Sequence, residues 1–278
     1  MKNTLARIKF KKHFGQANHY LVTSLVALHL LDESSIIEAP EVLRTAWSPK
    51  DKNASVFRSR NFVLQSFLGR AVDSLDMYLS LLNRNPNYLQ NEVFSSKLNG
   101  AGRSVHQKII LFSNEYKVKT TTYALMDVLI TWRNNVMHEL ADNKIMDLTR
   151  EALTNNAGYI QESYRGLDAR GLPEKAEKGS PLTFKETASL INAVHHYVQE
   201  IDTAVLAKFD PVIFCTTAVR NAINDKLKPG FATKYLSLPI DKRKRFLRNW
   251  FMNIYGFSEL DERSLISCLS IKKVKDGE

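Results

Sequence analysis

Apolar residues in this chain recur three or four positions apart, and this period constrains the fold more than any other feature. The longest example is a helix predicted over 56–83, whose apolar residues fall on one side. They are Phe62, Leu64, Phe67, Leu68, Val72, Leu75, Leu79 and Leu82. Apolar and polar residues do not alternate with a period of two over any useful length, as they would in half-buried strands. The sequence therefore predicts an all-α fold.

Helix-breaking residues divide the chain into four predicted segments. They are an N-terminal helical extension (1–55), a helical bundle (56–165), a loop or linker (166–183) and a C-terminal helical region (184–278). The linker is predicted from its glycines, prolines and charges. The next helix should begin at a capping box formed by Thr183 and Glu186. Other helices are predicted at 41–47, 104–112, 123 onward, 146–164, 184–209 and 211–226.

The first 55 residues contain no membrane-spanning pattern. The most apolar stretch, 20–31, is shorter than the roughly 20 residues that a bilayer requires. It is interpreted as a buried helix or as part of a helical interface. The basic start, 1–12, lacks the apolar core of a signal peptide and is predicted to be a solvated arm. Two isolated cysteines, Cys215 and Cys268, fit a reducing cytoplasm and suggest neither a disulfide framework nor a zinc site.

The charge of the chain favours a polyanionic partner. Lys and Arg number 39 against 29 Asp and Glu, a net charge of +10, which makes nucleic acid the first candidate. Near the C-terminal end, five cationic residues are interleaved with the aromatic residues Phe246, Trp250 and Phe251. The cationic residues are Lys242, Arg243, Lys244, Arg245 and Arg248. The cations could track RNA phosphates while an aromatic ring stacks on a base. Alternatively, the aromatic side chains enter the core and the basic face is solvated.

One short stretch combines groups that suit phosphodiester chemistry. Arg133 and Asn134 follow the apolar run 123–130, and His138 comes four residues after Asn134. A guanidinium offers a planar pair of donors to phosphate oxygens, and an imidazole titrates near neutral pH. A carboxamide can hold either group without adding charge. These three residues are the candidate catalytic set.

The arrangement of Arg133, Asn134 and His138 at the end of an apolar helix resembles the R-x4-6-H signature of HEPN domains, in the Arg-Asn form of HEPN ribonucleases. The order and lengths of the helices predicted over 56–165 are also similar to the HEPN bundle. The resemblance implies an HEPN-like bundle with additional N- and C-terminal helices. It further implies an endoribonuclease that leaves 2′,3′-cyclic phosphate and 5′-OH ends, with neither metal nor cofactor.

The resemblance assigns roles to the three residues. His138 would act as general base or acid, Arg133 would stabilise the phosphorane, and Asn134 would hold the imidazole tautomer or a phosphate oxygen. RNA needs no metal for this reaction because its 2′-OH is a built-in nucleophile. By analogy with the family, the chain is expected to be a cytoplasmic toxin or abortive-infection effector, with an antitoxin or regulatory protein as a further partner.

Helix geometry suggests a homodimer. Residues five apart on a continuous helix lie about 140° apart around its axis, so Arg133 and His138 would not reach one phosphate unless the helix were distorted or ended there. A second copy related by a two-fold axis would supply the missing group, and the resemblance implies such a composite cleft.

Several alternatives remain open at this stage. The chain could be a non-catalytic HEPN-like module that binds RNA, a nucleotide or a protein, or a purely structural helical protein. In the structural case Arg133 pairs with a surface acid, Asn134 and Asn135 end a helix, and His138 is simply exposed. Asp73 and Asp76 could orient a catalytic group or be solvated acids. The Arg-Asn pair within 220–225 is either a decayed second motif or part of an ordinary amphipathic helix.

Overall fold

The computed structural model describes residues 2–138, 140–257 and 259–272. Within these ranges the chain is helical and contains no strand, which confirms the predicted all-α class. The helices are α1 (Leu5–Glu33), a 3-10 helix (Glu41–Leu43), α2 (Lys52–Leu82), α3 (Glu92–Gly100), α4 (Val105–Tyr116), α5 (Thr120–Met137), α6 (Asp147–Asn155), α7 (Ala157–Ser163), α8 (Leu172–Glu177), α9 (Phe184–Lys208), α10 (Pro211–Asn224), α11 (Gly230–Ser237), α12 (Ile240–Tyr255) and α13 (Glu262–Leu269). None of these helices is long and apolar enough to cross a bilayer.

The predicted capping box at the start of α9 is confirmed. The Thr183 N–H donates to Glu186 Oε2 at 2.8 Å, and the Glu186 N–H donates to Thr183 Oγ1 at 3.2 Å. The single helix predicted over 146–164 is wrong, because α6 ends before Asn156. The Asn156 Nδ2 group donates to the Ala152 carbonyl at 2.8 Å and so competes with the helical hydrogen bonds.

Two segments predicted to be irregular are helical. The segment predicted as a loop or linker, 166–183, contains α8, which packs on α5 and buries Leu172, Pro173 and Ala176. The predicted N-terminal arm, 1–12, lies mostly in α1. Phe10 is buried there, and its ring centroid lies 5.5 Å from that of His195. In both segments the burial of a few apolar side chains stabilises a helix, although the composition of the segment predicts an irregular structure.

The chain divides into two compact units. The terminal unit comprises the described residues of Met1–Lys9, Tyr78–Arg103 and Gln199–Glu278, and the central unit comprises Phe10–Met77 and Ser104–Val198. The helices α1, α2 and α9 contribute residues to both units, so no boundary that is continuous in sequence could separate them. The charged tail beyond Lys272 lies outside the described residues.

The central unit is built around α5. Every residue from Thr121 to Trp132 except Tyr123 is buried, and α5 contacts α4, α6 and α8. A helix that is apolar on all sides must be surrounded by other helices. Because its N-terminal two thirds are covered in this way, the polar residues that follow Trp132 are the part of α5 able to reach solvent.

The terminal unit contains a buried polar cluster around Asp202, which is fully buried. Its carboxylate accepts hydrogen bonds from the Thr4 N–H at 3.2 Å, from the Thr4 hydroxyl, and from the Tyr78 hydroxyl at 3.3 Å. Arg7 Nη1 lies 3.8 Å from Asp202 Oδ2. Burial raises the pKa of the Asp202 carboxyl above its ordinary value, although the hydrogen bonds and Arg7 act in the opposite direction.

The Asp202 carboxyl should make stability depend on pH. Because the folded chain holds this proton more tightly than the unfolded chain, its contribution is complete below the ordinary pKa of 3.8 and is lost as pH rises through the raised value. Asp202→Asn removes the titration. The free energy of unfolding of the variant, minus that of the wild type, should therefore increase as pH rises from about 4. Urea titrations at several pH values measure this difference, with the exposed-site variant Asp241→Asn as control; a difference that falls as pH rises would contradict the expectation.

Candidate active site

The helix that contains the candidate catalytic residues ends immediately before His138. Met137 is the last residue of α5, and His138 has extended backbone angles, with φ −125° and ψ 107°. Its N–H still donates to the Asn134 carbonyl at 3.1 Å. The 140° separation of a continuous helix therefore does not apply to the imidazole, and the condition that the helix ends at the motif is met.

Arg133 lies beside two polar groups at the end of α5. Its Nη1 donates to Asn134 Oδ1 at 3.1 Å, and its Nη2 lies 3.5 Å from Asp73 Oδ1 on α2. The Arg133 side chain is 25% exposed, whereas that of Asp73 is 59% exposed. The Arg133 Nε group is buried without a hydrogen-bond partner. The guanidinium is thus held at the surface of the central unit with one donor unused.

Asn135 ties the end of α5 to the segments that follow it. Its Nδ2 donates to the carbonyls of Asn143, Ala176 and Glu177 at 3.0, 3.1 and 3.1 Å. Its Oδ1 accepts from the Asn143 N–H at 2.8 Å. One carboxamide therefore joins α5, the connection to α6, and the C-terminal end of α8. Asn135 is a positioning residue of the site.

Glu177 reinforces this junction from α8. Its carboxylate accepts a hydrogen bond from the Ile145 N–H at 2.9 Å and pairs with the Arg150 guanidinium. Burial alone would raise the pKa of Glu177, but these two partners lower it below the ordinary value. The carboxylate therefore stays charged at neutral pH and fixes the connection that runs from His138 to α6.

A glycine allows the chain to pass close to the end of α5. Gly179 follows α8 with φ +60°, a left-handed conformation that is strained for other residues. A Cβ at this position would lie 3.4 Å from Val136 Cγ2 and 3.5 Å from the Asn135 carbonyl oxygen. The close approach explains how α8 can present its last carbonyls to the Asn135 side chain.

The structure brings the side chains of Arg133, Asn134 and Asp73 into contact, and the His138 side chain is not part of this contact set. The His138 side chain is exposed, and within the described residues its imidazole makes no hydrogen bond or ion pair. A single chain therefore offers the guanidinium of Arg133 and the carboxamide of Asn134 side by side. The exposed imidazole of His138 follows the end of α5. The contact between Arg133 and Asp73 is also the one expected if Arg133 simply pairs with a surface acid.

A second histidine, which was not among the candidates, contacts a buried carboxylate. His106 Nε2 lies 2.9 Å from Asp127 Oδ1, and the Thr149 hydroxyl donates to Asp127 Oδ2 at 2.7 Å. Asp127 is fully buried, and the His106 side chain is 30% exposed. The signal in the sequence was an acid inside the apolar run 123–130. This cluster connects α4, α5 and α6, and it satisfies a charge that α5 could not bury alone.

An open groove lies on the surface of the central unit. It has a volume of about 980 Å³ and is formed by α4, the start of α5, α6 and α7. Its lining combines carboxamides, hydroxyls and aromatic rings, among them Asn114, Thr120, Tyr123, Asn155 and Tyr159. Neither Arg133 nor His138 is part of the lining. The groove is thus distinct from the end of α5 and has the size and polarity to bind a small molecule.

The predicted RNA-binding cations on α12 differ in their availability. Arg243 donates to the carbonyls of Leu238 and Leu236 at 2.8 and 2.9 Å. Lys244 and Arg248 both contact the Glu262 carboxylate. These three side chains therefore have partners within the terminal unit.

Lys242 and Arg245 remain available to an external partner. Both are exposed, and no hydrogen bond or ion pair involves either side chain within the described part of the chain. The neighbouring aromatic side chains contact other rings. Phe251 is buried, and the half-buried Trp250 lies 4.5 Å from the Phe231 ring between centroids. For Phe251 the structure thus matches the alternative in which the aromatic residue enters the core, whereas Phe246 and Trp250 remain partly exposed.

The second Arg-Asn pair lies on an ordinary amphipathic helix. α10 buries Phe214, Val219 and Ile223. Asp225, which takes the place of a histidine, accepts the N–H groups of Leu227 and Lys228 at 2.9 and 3.2 Å. These contacts give Asp225 a role in the turn that follows the helix.

Comparisons with protein-family models, curated proteins and solved structures find no match for this chain. Among the described residues, no group of three or more His, Cys, Asp or Glu side chains is arranged to hold a metal ion. The function of the protein is therefore inferred from the geometry of the site.

The adjacent residues Asn134 and Asn135 should respond differently to truncation. Asn135→Ala removes the hydrogen bonds to the carbonyls of Asn143, Ala176 and Glu177 and should lower the free energy of unfolding by about 2 kcal/mol. Asn134→Ala removes one hydrogen bond to a partly exposed guanidinium and should cost less than about 1 kcal/mol. Urea denaturation of both variants measures the difference. Equal losses of stability would show that Asn135 does not join the three segments.

Proposed function

We propose that this protein is a metal-independent endoribonuclease of the HEPN type. The observation that supports the proposal is the end of α5, where the Arg133 guanidinium lies beside Asn134 with its Nε unpaired, and where the helix stops so that His138 is exposed. These are the groups needed to bind a phosphodiester and to move a proton near it. In this proposal, the helices packed around α5 correspond to the HEPN-like bundle.

In the proposed reaction the ribose 2′-oxygen attacks the adjacent phosphorus. A histidine base takes the 2′-OH proton while the bond from phosphorus to the 5′-oxygen breaks. A protonated imidazole then gives a proton to the leaving 5′-oxygen, and the products are a 2′,3′-cyclic phosphate and a 5′-OH. The permanent charge of Arg133 stabilises the phosphorane, and Asn134 holds the guanidinium in position through the hydrogen bond described above.

The proposed active unit is a homodimer. One chain offers a single exposed imidazole at this site, whereas the reaction needs a base and an acid. A second copy would bring its own His138 and Arg133 to the same phosphate. We further propose a role in toxin or abortive-infection systems with an antitoxin or regulatory partner, which rests on the resemblance alone.

The second candidate function is that of a non-catalytic module that binds RNA, a nucleotide or a protein. The groove of about 980 Å³ favours it, because tyrosine rings and carboxamides are groups that can stack on and hydrogen-bond to a nucleobase. Activity separates the two functions. A binding module would retain RNA in the presence of EDTA without shortening it.

Purified protein incubated with labelled RNA and EDTA should produce cyclic-phosphate ends. Arg133→Ala and His138→Ala should each lower the cleavage rate by at least about 100-fold, because each removes a group that acts in the transition state. Arg220→Ala is the matched control, since Arg220 occupies the same position relative to the end of its own helix. Thermal melting confirms that each variant is folded. Cleavage that survives in either motif variant would contradict the assignment.

The salt dependence of RNA binding tests the basic cluster. If Lys242 and Arg245 each contact a phosphate, the double variant Lys242→Gln, Arg245→Gln should reduce the slope of log affinity against log salt by roughly 1.4. The control is Lys97→Gln, Arg103→Gln, which makes the same change in net charge at exposed positions of the same unit. Binding is measured with motif-inactive protein so that the RNA stays intact. Identical slopes in all three proteins would exclude contact by this cluster.

A further inference from the structure

The most apolar stretch of the sequence is a helix that the chain itself does not cover. The stretch 20–31 was interpreted as a buried helix or as part of a helical interface. It lies in α1, where Leu21 is the last buried residue before the helix ends at Glu33. The interpretation as a buried helix is therefore wrong, and the one that remains is an interface.

This part of α1 pairs with the beginning of α2, and the two form an exposed two-helix projection of the central unit, called the arm here (18–33 and 52–63). Lys52 Nζ donates to the carbonyl of Leu31 at 3.3 Å, and nearer the core the Phe14 and Phe67 rings stack with centroids 5.4 Å apart. The contacts show that the helices run antiparallel. Within the arm, only Leu21 and Val56 are buried. Two helices alone cannot bury apolar residues that lie on both of their sides.

The exposed apolar residues of α1 form a continuous stripe. Val22, Val26 and Leu30 are spaced four residues apart and are 47%, 52% and 60% exposed. At 100° per residue, the stripe lies on the side of α1 roughly opposite to Tyr20, Ser24 and Leu28, which line grooves toward α2. A row of side chains four apart is the ridge by which one helix packs against another.

The arm also has the electrostatic property that a two-fold interface requires. Around a two-fold axis each residue meets a copy of its own surroundings, so a charged stripe would place like charges together. Residues 18–31 contain no Asp, Glu, Lys or Arg, although most of them are exposed. The acids Asp32 and Glu33 follow this stretch, and the cations Lys52, Arg58 and Arg60 lie on α2. In an antiparallel pair centred on Val26, Asp32 and Glu33 lie level with Tyr20 and His19 of the second copy, so acids do not meet acids.

The apolar area on the side of the stripe corresponds to a small, reversible interface. Val22, Val26 and Leu30 are 47–60% exposed, and Ile36 and Ile37, which follow the helix, are 46% and 65% exposed. Together these five side chains expose on the order of 500 Å², so a pair of arms would bury about 1,000 Å², which is at the low end for specific protein interfaces. Tyr20 and Phe62 line grooves between α1 and α2 on the other side and do not contribute.

We propose that the arm binds the arm of a second copy of this chain, with the stripe Val22–Val26–Leu30 packed antiparallel against itself. Val26 lies in the middle of the stripe and therefore meets Val26 of the second copy at the two-fold axis. This contact differs from the composite site of the proposed function. Val26 lies level with the region of Phe57 on α2, whereas Asp73, which contacts Arg133, lies 16 residues further along that helix, roughly 24 Å away. The test of the arm contact measures mass and does not involve RNA, so that failure of either proposal can be recognised separately.

Light scattering on the full-length protein should give twice the chain mass of 31.7 kDa. Val26→Glu and Val26→Lys should each raise the dimer dissociation constant by roughly 100-fold or more, because like charges meet at the axis. An equimolar mixture of the two variants should recover the dimer, because opposite charges then meet. Ile213→Glu is the matched control, since Ile213 is also 52% exposed but lies outside the arm. Helical content should be unchanged, because the substituted side chain is exposed, whereas the melting temperature should be lower than that of the dimeric wild type, because association stabilises the folded chain.

Each other outcome overturns the proposal. A wild-type monomer at all concentrations excludes the second copy, and wild-type protein that is monomeric but binds phosphatidylcholine–phosphatidylglycerol vesicles assigns the stripe to a lipid surface. A dimer that persists in Val26→Glu places the interface elsewhere on the chain. Failure of the mixture to recover the dimer excludes self-pairing of the stripe at Val26. RNA cleavage by a monomer would leave the nuclease assignment standing and refute only the dimer.

Discussion

The burial of α5 from Thr121 to Trp132 is the constraint on which the central unit depends. A helix segment that is largely apolar around its circumference can exist in water only if neighbours cover its sides, and α4, α6 and α8 do so. Polar side chains within this segment need partners. The buried carboxylate of Asp127 contacts His106 and accepts a hydrogen bond from the Thr149 hydroxyl. The position of Arg133 and Asn134 at the surface follows from the same constraint.

The periodicity of the sequence was sufficient to predict the helical class and the capping box of α9, because both depend on local spacing. It did not predict α8, because the glycines and prolines around this six-residue helix indicated a loop. A helix this short is not stable alone, and packing on α5 stabilises it. Nor did the periodicity predict which asparagine is the structural one. Asn134 and Asn135 are chemically identical neighbours, and only the fold places the carbonyls of Ala176 and Glu177 within reach of the second.

Exposure was the property that the sequence described least well. Phe62 continues the apolar stripe of α2 but is 69% exposed, whereas Phe10 is buried in a segment that reads as a solvated arm. Among the α12 cations, Arg243 binds carbonyl groups and Lys242 does not. Whether a side chain finds an intramolecular partner depends on segments far away in sequence, and residue type or spacing does not contain that information.

The hydrogen bonds between Thr4 and Asp202 have a consequence for synthesis of the protein. Their 198-residue separation means that Thr4 must wait until the chain has been synthesised as far as Asp202 before its partner exists. The central unit, by contrast, lies entirely within Phe10–Val198. Vectorial synthesis thus allows the unit that contains Arg133 and His138 to assemble while Thr4 is still unpaired. The Thr4–Asp202 hydrogen bonds can form only after the whole sequence of that unit has been synthesised.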